Sequence, residues 1–142
     1  MNKVHALLNS EYAYRKKIFG RGVTAAVLDT GIYAGHPDLR GNIVCFKDFI
    51  EDRVGAYDDN GHGSHVAGIY CGTGKASDGV YMGMAPLAKV AVLKVLDNRG
   101  NGSTADVLRA CEWIVRNRRR YHIKLVNISV GTLRADKRKE NE

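Results

Sequence analysis

Two short segments carry side chains that could do acid–base chemistry together. In Asp59-Asn60-Gly61-His62-Gly63-Ser64-His65-Val66-Ala67-Gly68, a histidine sits between two glycines at the head of a small-residue helical pattern. In the other, Asp29 closes the apolar run Val23-Thr24-Ala25-Ala26-Val27-Leu28 and precedes Thr30-Gly31. A carboxylate at the end of a buried strand is costly unless something pairs with it. Alone, Asp29 reads equally as a turn cap that accepts N–H groups of the following loop. His62 alone reads equally as a hydrogen-bonded interior histidine. Together they are more specific. A carboxylate on one imidazole nitrogen fixes the tautomer, and the other nitrogen can then take a proton from a nucleophile. Gly61 and Gly63 leave room for backbone and substrate beside the ring. A helix N-terminus disfavours the imidazolium, which gives the acid partner its purpose. His62 and His65 with Asp58 and Asp59 suggest metal binding as an alternative. Their i, i+3 spacing departs from the i, i+4 pairing of helical zinc sites and no third ligand is evident, so no metal site is expected.

The elements that must position these groups alternate. Val23–Leu28 is a continuous apolar run of the kind covered on both faces of a sheet. Ile43–Phe49 reads as a shorter strand, Gly63–Gly72 as a helix, Lys89–Leu96 as a second buried strand and Leu125–Val130 as a fourth strand. Between the last two, Ser103 is an N-cap with Asp106 three residues on, and Val107, Leu108, Cys111, Ile114 and Val115 recur at helical spacing. The order β-β-α-β-α-β predicts an α/β fold, a mostly parallel sheet with flanking helices. In such sheets chemistry gathers at the carboxyl ends of the strands, where Asp29 stands. Glycine-rich patches at 57–61, 72–83 and 98–102 mark loops.

Bulk properties narrow the classes. The chain has 142 residues, one domain's worth, and can bury roughly two thirds of its unfolded surface. Its three cysteines, Cys45, Cys71 and Cys111, are widely spaced, which predicts small buried apolar residues in a reducing compartment rather than a disulfide framework. The net charge is +7, with basic residues in Arg15-Lys16-Lys17, in Arg116–Arg120 and between Arg134 and Lys139. No base-stacking aromatics are interleaved with these charges, so no nucleic-acid partner is expected. No run approaches a membrane span and residues 1–20 carry no apolar segment of signal type, so the expectation is a cytoplasmic protein without a membrane partner.

The ordered motifs resemble those of the subtilisin-like serine proteases, the subtilases. Val27-Leu28-Asp29-Thr30-Gly31-Ile32 is similar to the family's aspartate motif, and His36-Pro37-Asp38-Leu39 to the segment after it. Asp59–Gly68 resembles the histidine motif, and Gly83-Met84-Ala85-Pro86 with Val92–Leu96 resembles the next strand and its lead-in. Val126-Asn127-Ile128-Ser129-Val130-Gly131 is similar to the strand that pairs with bound peptide. The likeness covers about residues 20 to 132 and looks most similar to intracellular bacterial subtilases. It implies serine-type hydrolysis of peptide bonds, with Asp29 orienting the imidazole and His62 acting as general base and acid. It also implies that Ser129, Val130 and Gly131 hydrogen-bond a peptide or protein substrate as an added strand, facing a wall made by Gly100, Asn101 and Gly102. Asp38 matches a calcium ligand of some relatives, but the 73–82 loop does not resemble their calcium loop. No cofactor is therefore expected, and calcium is unsupported.

One departure matters. The family's Gly-Thr-Ser-Met-Ala type nucleophile motif and its oxyanion asparagine are not in this sequence. Ser10, Ser64, Ser77, Ser103 and Ser129 fit other roles, and Asn127 belongs to a strand. The expected layout is a lead-in at 1–20, a partial subtilase domain at 21–132 and a charged tail at 133–142, truncated, with the missing C-terminal half supplied elsewhere if at all. Without nucleophile and oxyanion hole, no proteolysis is expected from this chain alone. An unpaired edge beside Val130 is expected to make unfolding broad and aggregation easy. Two other readings compete: a non-catalytic peptide-binding or regulatory half-domain, and a half-sized aspartic protease chain carrying Asp29-Thr30-Gly31. The helical patterns and the His62 motif argue against the second.

Overall fold

The computed structural model describes residues 2–131. Thr132 and the tail expected at 133–142 lie outside the described residues. Four parallel strands form one sheet in the order β2-β3-β1-β4: β1 (Thr24–Asp29), β2 (Ile43–Asp48), β3 (Lys89–Lys94) and β4 (Ile123–Ile128). Helix α3 (His62–Cys71) connects β2 to β3, and α4 (Thr104–Asn117) connects β3 to β4. The expected α/β class is what the chain adopts.

The two inner strands explain their own sequences. β1 is buried at every position and β3 at all but its first, so neither alternates with polar residues. Val27, Val90 and Val92 pack with Ala67 and Cys71 of α3 on one face. Ala26, Leu28 and Leu93 pack with Ala110 and Ile114 of α4 on the other. Small residues on α3 bring that helix close to the sheet, as the sequence pattern suggested. β4 differs from its sequence reading. It starts and ends two residues earlier than 125–130, and Leu125, Val126 and Ile128 are exposed along it. Its apolar content suits a covered strand, but β1 is its only neighbour among the described residues.

Ser103 caps α4 as its spacing required, its hydroxyl accepting from the Asp106 N–H at 3.1 Å. Ser103→Ala is expected to cost about 1 kcal/mol, read as a lower denaturant midpoint with unchanged slope. The helix ends at Asn117, so of the basic cluster Arg116 lies in its last turn and Arg118–Arg120 lie beyond it. Residues 2–20, expected only as a lead-in, hold two six-residue helices, α1 (Asn2–Leu7) and α2 (Ser10–Arg15). Elements this short are marginal alone, and tertiary bonds hold them: His5 joins Ser10 (2.7 Å) and the Met82 carbonyl (2.9 Å), and the Tyr14 hydroxyl donates to the Met84 carbonyl (2.9 Å).

All three cysteines are free, Cys71 buried but Cys45 and Cys111 only half-buried. Cys45 sits on the outer strand β2 and Cys111 on the flank of α4, where neither is fully covered. Burial pushes the Cys71 thiol up to about 12 and the Cys45 thiol up to about 11. Both are therefore neutral at ordinary pH and poor nucleophiles. Among the described residues no helix is long and apolar enough to cross a membrane.

Candidate active site

Asp29 is the last residue of β1 and is fully buried. Where the strand ends, its carbonyl accepts from the Val95 and Leu96 N–H groups at 3.0 and 3.2 Å, which turns the chain away from the sheet. Its carboxylate then faces α3. Oδ1 accepts from the Thr30 N–H at 2.7 Å, the turn-cap role that the residue suggested alone. The same carboxylate also takes the imidazole: His62 Nδ1 donates to Oδ1 at 2.8 Å and lies 3.0 Å from Oδ2. Both readings of Asp29 hold at once. His62 is the first residue of α3, with half its side chain exposed. Nδ1 is the nitrogen the acid engages, and Nε2 has no hydrogen-bond partner among the described residues.

Two backbones approach closely to make this contact. A Cβ on Gly63 would lie 2.3 Å from the Gly31 carbonyl oxygen, and one on Gly31, at φ +127°, would lie 2.1 Å from the Tyr57 carbonyl oxygen. Thr30 bridges the same gap, its hydroxyl accepting from the Gly63 N–H and donating to Asp58 Oδ1, each at 2.9 Å.

Asp58, weighed from the sequence only beside His62 and His65 as a metal ligand, is a structural support of the pair. Its carboxylate accepts from the N–H groups of Asn60, Gly61 and Ser64 and from the hydroxyls of Thr30 and Ser64. It thus ties the head of α3 to the turn after Asp29. Burial alone would raise its pKa, but bonds from the Ser64 hydroxyl, the Gly61 and Ser64 N–H groups and Thr30 outweigh it and hold the carboxyl down to about 2. A depressed carboxylate stabilises the fold above its unfolded value, near 4, and that contribution disappears as pH falls towards 2. Asp58→Asn is therefore expected to destabilise the chain at pH 7 and to matter little at pH 2. Urea midpoints measured across that range check it.

The expected cleft residues also meet. Gly100, Asn101 and Gly102 face Ser129, Val130 and Gly131 across a cleft of about 530 Å³ floored by Leu96 and Val107. The first wall is a tight turn in which the Asp97 carboxylate accepts from the Arg99 and Asn101 N–H groups, each at 2.8 Å. On the second, Asn127 donates to the Ser129 hydroxyl at 2.7 Å. Asn60 joins pair and cleft: its Oδ1 accepts from the His62 N–H at 3.1 Å, and its Nδ2 donates to the Asn98 carbonyl at 3.0 Å.

The other candidates have separate employment. Ser64 is held by Asp58, Ser103 caps α4, Ser77 donates to the Gly74 carbonyl and Ser10 pairs with His5. Among the described residues none of these hydroxyls bonds to His62. Asp38 accepts from the Ala76 N–H at 2.8 Å and closes the loop after α3. Among the described residues no three His, Cys, Asp or Glu side chains group to hold a metal ion.

The model of the Subtilase family matches residues 20–142 of this chain. The chain is 47% identical over 97 residues to serine protease AprX of Bacillus subtilis, an overlap of 68% of this chain and 22% of the relative. It is 42% identical over 127 residues to a thermostable alkaline protease of Halalkalibacterium halodurans, covering 89% and 33%. With the intracellular serine protease of Paenibacillus polymyxa it shares 36% over 116 residues, covering 79% and 34%. Among solved structures, a cold adapted subtilisin-like serine proteinase superposes with TM-score 0.62 at 34% identity, over 70% of this chain and 34% of that one. The chain thus spans from about a fifth to a third of the length of these relatives.

Proposed function

From the premise that this chain belongs to the subtilase family, we propose that it supplies the acid and the base of a serine-type peptide hydrolysis. The observation that carries this reading is the Asp29–His62 bond at 2.8 Å, made through Nδ1 on a half-exposed side chain. Asp29 holds the Nδ1–H tautomer and stabilises the imidazolium; Nε2 takes the proton of a hydroxyl nucleophile and later returns it to the leaving amine. A peptide substrate lies in the cleft between Gly100–Gly102 and Ser129–Gly131, paired with the chain after β4 as an added strand.

No serine of this sequence stands in the family's nucleophile motif. The chain by itself is therefore expected to take no label from a fluorophosphonate probe and to cleave no peptide. Labelling of any serine in it would overturn this division of roles. A second reading has its own support, because the outer edge of β4 and the cleft beside it suit a bound strand without any chemistry. Peptide binding that survives His62→Ala, with no turnover, would favour that non-catalytic module.

A further inference from the structure

Lys94 heads the fully buried side chains by size, and the chemistry proposed above makes no use of its charge. It closes β3 directly beside Asp29, its register partner on β1. The ladder ends there, and the next carbonyl, that of the buried Thr30, is past the last strand donor. The ammonium supplies one: Nζ donates to Thr30 O at 2.6 Å, to Leu96 O at 2.8 Å and to Asp59 Oδ1 at 2.7 Å. A lysine has three protons, and here each has an acceptor in a different segment. Thr30 follows the acid, Asp59 lies in the loop that leads to the base, and Leu96 floors the cleft. The ring of Tyr57 covers Nζ at 5.0 Å, with its hydroxyl on Asp48 and Arg53 stacked against it at 4.7 Å.

We propose that Lys94, with Asp59 as its counter-ion, is a positioning residue that fixes the acid's turn, the base's loop and the cleft floor against one another. The proposal rests on the acid–base reading of Asp29 and His62 and adds the group that sets their geometry. A buried ammonium unable to reach these acceptors would be too costly to keep, so its presence forces the three segments together.

The experiment follows the low-field Nδ1–H signal of His62 by NMR in the chain, with Asp29→Asn as the control for the pair. Removing the carboxylate is expected to abolish that signal. If the signal persists unchanged, the acid–base reading fails and the proposal falls with it. Where the signal depends on Asp29, Lys94→Met is expected to broaden it beyond detection, because the turn and the loop that hold the pair are no longer tied together. Lys94→Arg, which keeps the charge and donors, is expected to restore most of it. A lysine that only fills the interior would lower the melting temperature in Lys94→Met and leave the signal of the folded chain as sharp as before; that result overturns the proposal. Should Lys94→Met fail to fold, Asp59→Asn decides. It leaves the ammonium without its anion, so a broadened Nδ1–H signal supports the clamp and an unchanged one overturns it.

Discussion

Gly63→Ala is expected to be among the most damaging single-atom-scale changes in the chain. The new methyl would lie 2.3 Å from the Gly31 carbonyl oxygen, 3.0 Å from the Gly31 nitrogen and 3.2 Å from the Asp29 Cβ. Two of those are backbone atoms, and no rotamer change relieves them. Nor can the turn retreat, because Gly31 is itself backed by the Tyr57 carbonyl and bridged to Asp58. The helix would have to lift instead, stretching the Gly63 N–H bond to Thr30 and the Ser64 N–H bond to Asp58, both 2.9 Å. Overpacking against fixed backbone costs about 3 kcal/mol or more, a fall of roughly 10 °C in melting temperature for a chain of this size. The low-field Nδ1–H signal of His62 should vanish with it. Gly68→Ala on the same helix is the control: its methyl would meet nothing within 4 Å, and alanine gains about 1 kcal/mol of helix propensity. A Gly63→Ala chain as stable as its parent would mean that α3 does not pack on the turn as described.

That contact also marks how far the sequence could be read. The inner strands were legible because burial on both faces leaves an unbroken apolar run, and α4 because a cap and a helical repeat agree. Asp29 and His62 were legible as a pair because each is a polar group at the end of an element that buries everything else. Asp58 was not, since its five donors come from a turn at Thr30 and from the loop that folds back around it. No local spacing encodes such convergence. Lys94 did leave a sign: a lysine inside Lys89–Leu96, an otherwise apolar strand, demands a buried partner. The demand was visible, but the partner's identity was set by the topology that carries Asp59 over the end of β3. The short helices α1 and α2 were illegible because they form on contacts with Met82 and Met84, far away in sequence.

A second large loss is expected from a residue that touches neither the pair nor the cleft. Asp48 ends β2, one per cent exposed, and its carboxylate accepts from the N–H groups of Ile50, Glu51 and Arg53 and from the Tyr57 hydroxyl. Burial would raise its pKa, but these four donors more than offset it and hold the carboxyl below the ordinary carboxylate range. Asp48→Ala strips all four at once and leaves three turn N–H groups and a phenol without their acceptor. Losing a charged acceptor costs about 1.5–3 kcal/mol for a single bond, so a total of about 3 kcal/mol or more is expected even with water repairing part of it. The effect should reach the site, because Tyr57 transmits it. Its carbonyl accepts from the Ile32 N–H at 3.0 Å, just beyond the acid's turn, and its ring covers the Lys94 ammonium. The sign with pH follows from the depressed carboxyl: the contribution is whole above about pH 4, the unfolded value, and declines as acid protonates the folded state. Parent and Asp48→Ala stabilities should therefore converge on acidification. A gap as wide at pH 2 as at pH 7 would show that the side chain's packing, not its charge, holds the end of β2.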